Sequence, residues 1–297
     1  MKTTAAKRVA SRRSSVIDGG TIESVTDAVA FASKFSSPRF GFLVSRGQKD
    51  FAWHLQPGIF RRDRWHRYER HMIRELIATH PQEFANDRTM FEKLVRMQHF
   101  GLPSRLLDVS SNFLVSLFFA SESTDDKADG SIYLIRGTNG LRKYFDSDAV
   151  SVLSNLSNLA SFEKRSIRDK SPDNGKLIPD AFNSFEPVDR LLHFIRDEKP
   201  YFRPIIEKDD VYRTFYVVPK KSNPRIVAQS GAFLIFGLVD EPARIPDLHE
   251  FKLTKFRVPA GRKSSIRKNL AGLGITASSL YPEIDKAAKQ IADFYYE

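Results

Sequence analysis

The segment Phe113-Leu114-Val115-Ser116-Leu117-Phe118-Phe119-Ala120 is apolar at every position but Ser116. It reads as a hydrophobic helix running from about Asn112 to Glu122. No apolar run in the chain is long enough to span a bilayer, so other protein must cover this helix. Just ahead of it, Gln98, His99, Arg105 and Asp108 are set among Phe100, Leu102, Leu106 and Leu107. Polar groups beside so much apolar chain must be paired or used, because burying them alone is expensive. Two readings stay open: a structural Arg105–Asp108 pair with a satisfied core His99, or a functional cluster.

The rest of the chain supplies the cover. Its 297 residues include 24 Phe, and 41% are hydrophobic, enough for a substantial core. Ser24 can cap a helix carrying Val25, Ala28, Val29, Ala32 and Phe35. Phe40 to Val44 reads as a buried strand ending at Arg46-Gly47. Trp65, Tyr68, Met72 and Leu76 recur at helical spacing until Pro81, and a further helix holds Phe91, Leu94, Val95 and Gln98 and ends near Gly101. Arg105 to Asp108 is a short strand or turn, residues 125–130 are a turn, and Ser131 to Ile135 is a strand. Residues 136–210 are polar and helical in pieces, with a loop near 171–175 and a helix from Val188 to Ile195. The last third is strand-rich, with candidates at 214–218, 225–229, 232–236 and 251–258. Helices at 264–273 and 282–296 close the chain. The pattern predicts one α+β domain over residues 21–297, with a mixed or antiparallel sheet core and helices before, between and after the strands.

Charge and residue usage narrow the function classes. A net charge of +11 suggests a polyanionic partner such as nucleic acid, although many basic proteins bind nucleic acid only nonspecifically. Residues 1–20 are rich in Lys, Arg and Ser and read as a flexible basic arm. There is no Cys, which excludes disulfides, thiolate metal sites and cysteine nucleophiles. With no apolar h-region near the N-terminus, a cytoplasmic location is expected. Neither a His-Glu-x-x-His metal pattern nor a phosphate-binding Gly-x-x-x-x-Gly-Lys-Ser/Thr loop is present, and no metal is expected.

Three separated segments can carry chemistry. Arg46 ends an apolar strand, where a guanidinium can make paired hydrogen bonds to phosphate or serve as a surface ion-pair partner. Gly47 allows close approach of a ligand or of backbone, and Gln48 adds a donor and an acceptor. The second segment runs from Gln98 to Asp108 and includes Ser104. In the third, Gln229 lies where two predicted strands meet and can bind a substrate hydroxyl or satisfy backbone groups.

Together these segments resemble the FRG domain family, named for a Phe-Arg-Gly signature that reads Ser45-Arg46-Gly47 here. The likeness continues through Trp53 to Arg61 and is densest from Met97 to Asp108, where the family usually has Thr in place of Ser104. It extends to Phe118-Phe119-Ala120, Glu198 to Pro204 and Arg225 to Phe233. The motif order also resembles ADP-ribosyltransferases of the Arg–Ser–Glu type. That resemblance implies NAD as substrate and a nucleic-acid or protein target, and suggests by analogy a toxin or phage-defence effector. Arg46 would grip the NAD pyrophosphate, with Gly47, Gln48, Gln98 and Arg105 beside it. Ser104 and His99 would hold the nicotinamide riboside, and Gln229 the ribose hydroxyl. Because Gln229 is neutral where those enzymes have Glu, Asp108 is the substitute carboxylate. The alternative is an FRG module that binds a nucleotide or nucleic acid without turnover.

Overall fold

The computed structural model describes residues 16–35, 41–122, 127–171, 181–239 and 248–282. Eight strands follow in chain order: β1 (Val16–Thr21), β2 (Gly41–Gln48), β3 (Leu106–Ser110), β4 (Gly130–Thr138), β5 (Arg142–Tyr144), β6 (Thr214–Val218), β7 (Gly231–Phe236) and β8 (Lys252–Val258). They form one mixed sheet in the order β1-β8-β4-β2-β3-β7-β6-β5. The β1–β8 and β5–β6 pairs are parallel, and the other neighbours are antiparallel. The chain is thus an α+β fold with helices before, between and after the strands, as its sequence pattern predicts.

The sheet is really two half-sheets joined at one point. β2 pairs with β4 along its whole length, from Gly41 opposite Thr138 to Gln48 opposite Ser131. β3 pairs with β7 from Leu106 to Ser110. Between β2 and β3 the register is a single pair, Ser45 opposite Ser110. The half-sheets also fold toward each other. Phe42 of β2 and Tyr216 of β6 lie three strands apart in the order, a spacing of about 14 Å in a flat sheet. Their rings nevertheless stack with centroids 4.3 Å apart.

Alternation along the strands separates two cores. On β4, Ile132 and Leu134 face one cluster, while Tyr133 and Ile135 face the other. The smaller cluster lies under the helices Val25–Lys34, Phe113–Ser121 and Lys263–Gly272. The larger packs the helices Met90–His99, Asp148–Asn155 and Glu186–Glu198 against the second half-sheet, where every residue from Ala232 to Phe236 is buried. The helix Phe113–Ser121 is apolar nearly all round because it crosses under β2 at very short range. A Cβ on Gly47 would lie 1.8 Å from the Ser116 carbonyl oxygen, and one on Gly130 would lie 2.1 Å from that of Ala120. These two positions are glycine because the helix backbone occupies the space of a side chain.

Local signals set several boundaries. Ser24 caps its helix, its hydroxyl accepting from the Asp27 amide at 3.1 Å. Met90–His99 closes with Gly101 at φ +88, the Leu102 amide donating to the Met97 carbonyl and the Gly101 amide to that of Gln98. This is the Schellman arrangement, and it delivers the chain into β3.

Four expectations are corrected. The predicted strand at 225–229 is the helix Pro224–Ala228. Asn223 caps it, accepting from the Arg225 amide at 2.8 Å, and Pro224 stands at its first position. The single helix expected through Trp65 to Leu76 breaks at Tyr68 into Asp63–Arg67 and Glu69–Thr79, which turns Glu69 inward. The strand expected to end at Arg46-Gly47 runs through both of them to Gln48. Val16 to Thr21, which the sequence pattern places mostly in a basic arm, form the strand β1, because β8 offers it a ladder partner that composition cannot reveal. Residues 1–15 of the predicted basic arm lie outside the described residues, as do nearly all of the predicted loop at 171–175 and helix at 282–296.

Among the described residues, no helix is long and apolar enough to cross a membrane.

Candidate functional site

Where β2 and β3 part, a cleft of about 250 Å³ opens. Arg46, Gly47 and Gln48 line one side and Asp108 to Ser110 the other. Ser116, Phe119 and Glu122, from the crossing helix and its end, also line it, as do Trp53, Arg225, Gln229 and Tyr281. At the junction, side chains replace the missing ladder. The Ser45 and Ser116 hydroxyls lie 2.8 Å apart, and the Ser110 hydroxyl donates to the Gln229 carbonyl at 2.7 Å.

Arg46 bridges the parting. One of its terminal nitrogens, Nη1, donates to the Asp108 carbonyl at 2.6 Å and stands 3.7 Å from the Asp108 carboxylate. Its Nε is buried and has no protein partner. An unmet donor on a buried cation is costly and is a natural place for a ligand oxygen. Burial draws the guanidinium below its ordinary pKa, Asp108 opposes that shift, and the positive field of Arg61 adds to it. Arg225 also lines the cleft, its guanidinium carbon 4.7 Å from the centre of the Tyr281 ring.

Asp108 is held from behind. Gln98 Nε2 donates to its Oδ2 at 2.7 Å, and Ser104 Oγ donates to Gln98 Oε1 at 2.5 Å. Ser104 in turn accepts from the Leu106 amide at 3.1 Å. A relay of two polar side chains therefore fixes the carboxylate's orientation. Gln98 and His99 line a smaller recess of about 50 Å³ that shares Asp108, Arg225 and Gln229 with the main cleft. His99 Nδ1 is 2.8 Å from Asn223 Nδ2. Because the Asn223 carbonyl already caps the next helix, its amide is the donor and Nδ1 the acceptor.

The sequence candidates separate accordingly. Arg46, Gly47, Gln48, Asp108 and Gln229 share the main cleft, Gln98 and His99 share the side recess, and Ser104 stands behind Gln98. Gln48 uses its amide on the His54 carbonyl at 3.1 Å, and Gln229 uses its amide on the Leu280 carbonyl at 3.0 Å. Ser230, at φ +46, forms the left-handed turn that sets Gln229 between its helix and β7.

Arg105 lies elsewhere. It is fully buried, and its partner is Glu69, not Asp108. Nε and Nη2 bind the two Glu69 oxygens at 3.0 and 2.6 Å, and Nη1 donates to the Phe236 carbonyl at 3.0 Å. Lys164 completes the cluster at 2.5 Å from Glu69. Burial pushes the Glu69 carboxyl up, but Arg105 and Lys164 outweigh it and hold the pKa at about 2. The cluster ties the broken helix at Glu69 to β3 and to the end of β7.

Arg225 and Tyr281 reach the cleft without having been singled out in the sequence. The Asn223-Pro224 pair, a helix-start signal, could have placed Arg225 on a short helix facing inward. Nothing local marks Tyr281. Among the described residues, no three acidic or histidine side chains converge in a way that would hold a metal ion.

No curated protein and no solved structure matches the chain. A family comparison does find a match, from β2 to the residue before β4, which takes in Arg46, Trp53, Asp108 and Glu122 but neither Arg225 nor Gln229. The family matched over these residues, 42–129, is the FRG domain.

Proposed function

We propose that the cleft binds the pyrophosphate of NAD and that the protein is an NAD-dependent, ADP-ribosyltransferase-like protein acting on a nucleic-acid or protein target. The observation that carries this reading is Arg46, a mostly buried guanidinium at the parting of two strands with an unpartnered Nε. Arg225 supplies a second cation, and Tyr281 and Phe119 supply aromatic walls for a base or a nicotinamide ring. Drug-sized ligands fill pockets of roughly 300–1,000 Å³. At about 250 Å³, the cleft suits the nicotinamide and pyrophosphate portion of NAD, with the remainder lying over the rim.

In such a transfer the bond from C1′ to the nicotinamide nitrogen breaks, and nicotinamide leaves with the electron pair. A target nucleophile adds to C1′ and gives up its proton. Positive charge develops at the sugar in between, so a fixed carboxylate lowers the barrier. Asp108, oriented by Gln98 and Ser104, is the side chain for that role, and Gln229 contributes hydrogen bonding only. Arg46 holds the pyrophosphate and thereby positions the sugar.

A second reading, an FRG module that binds a nucleotide without turnover, is favoured by one feature. The Asp108 carboxylate is already engaged by Arg46 and Gln98. Calorimetry with NAD, followed by incubation with labelled NAD and lysate or nucleic acid, separates the two. Binding with label transfer supports the enzyme, and binding without transfer or nicotinamide release supports the module. Absence of NAD binding rejects NAD as the ligand.

A further inference from the structure

The loop from Lys49 to His54 follows β2 at the mouth of the cleft and is unusually well tied down. Its carbonyls accept from side chains on other elements. Lys263 Nζ donates to that of Lys49 at 2.8 Å, and Lys255 Nζ to that of Phe51 at 2.6 Å. The Tyr133 hydroxyl donates to that of Trp53 at 3.2 Å, and Gln48 Nε2 to that of His54 at 3.1 Å. The Phe51 amide is used as well, on the Asp129 carbonyl at 2.6 Å.

What this fixed loop displays is an aromatic side chain among cations. Trp53 is 40% exposed although it lines the cleft. Lys49 Nζ and the Arg61 guanidinium carbon each stand 5.8 Å from the centre of its ring system. Behind it, Lys255 and Arg257 lie over the Phe51 ring at 4.0 and 4.2 Å. Arg62 and Arg64 continue the exposed basic stretch beyond Arg61. Cations spaced around a rigid aromatic surface match a strand whose bases stack while its phosphates are neutralised. Duplex bases are already stacked and offer no free face.

We infer that the Lys49–His54 loop is a stacking platform for single-stranded nucleic acid, with Trp53 seating one base at the cleft mouth and Lys49 and Arg61 contacting the flanking phosphates. The site names the acceptor class for the transfer proposed above, and its oligonucleotide binding is read in the absence of NAD, so either reading can fail alone.

The chain has two tryptophans. Trp65→Phe leaves Trp53 as the sole indole, and its fluorescence is followed while a short oligothymidylate, an oligouridylate or a duplex of equal length is added. Single strands should quench Trp53 in a salt-dependent manner, and the duplex should not. Trp53→Ala should weaken single-strand binding roughly five- to 150-fold, the usual worth of one stacked base, and leave NAD calorimetry unchanged. A 4-thiothymidine oligonucleotide cross-linked to the unaltered chain should map to the peptide containing Trp53, a result that does not depend on the Trp65 variant folding. Absence of quenching and of this cross-link overturns the inference. So does loss of NAD binding in Trp53→Ala with oligonucleotide affinity intact, which would make Trp53 part of the NAD site. Quenching by the oligonucleotide in a protein that ignores NAD would uphold the platform and reject the NAD reading.

Discussion

Arg46 donates to the backbone carbonyl of Asp108 at 2.6 Å, across the point where β2 and β3 separate. Strands that pair fully would have consumed that carbonyl in the ladder. Because they touch only at Ser45 and Ser110, a guanidinium takes the place of an amide donor, and space remains beside it for a ligand.

Arg46→Ala should therefore cost most of the cleft's affinity for a pyrophosphate. A hydrogen bond to a charged group contributes roughly 1.5–3 kcal/mol, so NAD or ADP-ribose should bind about tenfold to 150-fold more weakly by calorimetry. Arg46→Lys keeps the charge but lacks the planar fork that spans the gap, and should recover only part of the loss. Unchanged affinity in Arg46→Ala would remove the arginine from the binding site.

Asp108→Asn separates its two roles. The carboxylate competes with a ligand anion for Arg46, so removing its charge should leave NAD binding at least as tight as before. Label transfer should fall by about 100-fold or more if the carboxylate stabilises the developing cation, a loss typical of such electrostatic groups. Undiminished transfer in Asp108→Asn would assign the chemistry to another residue.

The Glu69–Arg105–Lys164 cluster should dominate acid sensitivity. Glu69 has a pKa of about 2 in the folded chain against an ordinary 4.5. Between those values the unfolded state binds more protons, so stability falls as pH drops from about 4.5 toward 2 and is fully present above that window. The shift corresponds to roughly 3 kcal/mol. Glu69→Gln leaves two buried cations facing each other and should destabilise the fold by roughly 3–5 kcal/mol in urea denaturation at pH 7. It should also flatten the acid limb of the stability profile. A variant that keeps the wild-type acid limb would show that Glu69 does not set it.

Gly47→Ala should unfold the parting of the strands rather than tune it. Its Cβ would lie 1.8 Å from the Ser116 carbonyl oxygen, a backbone atom that no rotamer can clear. A loss exceeding about 1–3 kcal/mol is expected, measured as a lowered denaturation midpoint. The control Gly261→Ala, where the added Cβ meets nothing within 4 Å, should sit within about 0.5 kcal/mol of wild type. Equal stabilities for the two variants would contradict the close approach of helix and strand.

The amino-acid sequence by itself determined the elements whose signals are local. The Ser24 cap, the Gly101 helix end, the apolar helix after Asn112, the continuous apolar runs of β6 and β7 and the alternating run of β8 all follow from periodicity and terminal residues. Where β-branched residues stood next to a helix-start pair, as in Asn223-Pro224-Arg225-Ile226-Val227, the run of apolar positions concealed five residues of helix. It also singled out Arg46, Asp108 and Gln229, which the fold brings to one cleft. Tertiary structure alone decided how the polar groups paired. Arg105 and Asp108 are three residues apart, and their opposite charges suggested a pair. However, β3 carries Arg105 into a closed space with Glu69 and leaves Asp108 for Arg46. Which charges meet depends on strand order and on where two strands part, and those are long-range properties that no window along the chain contains.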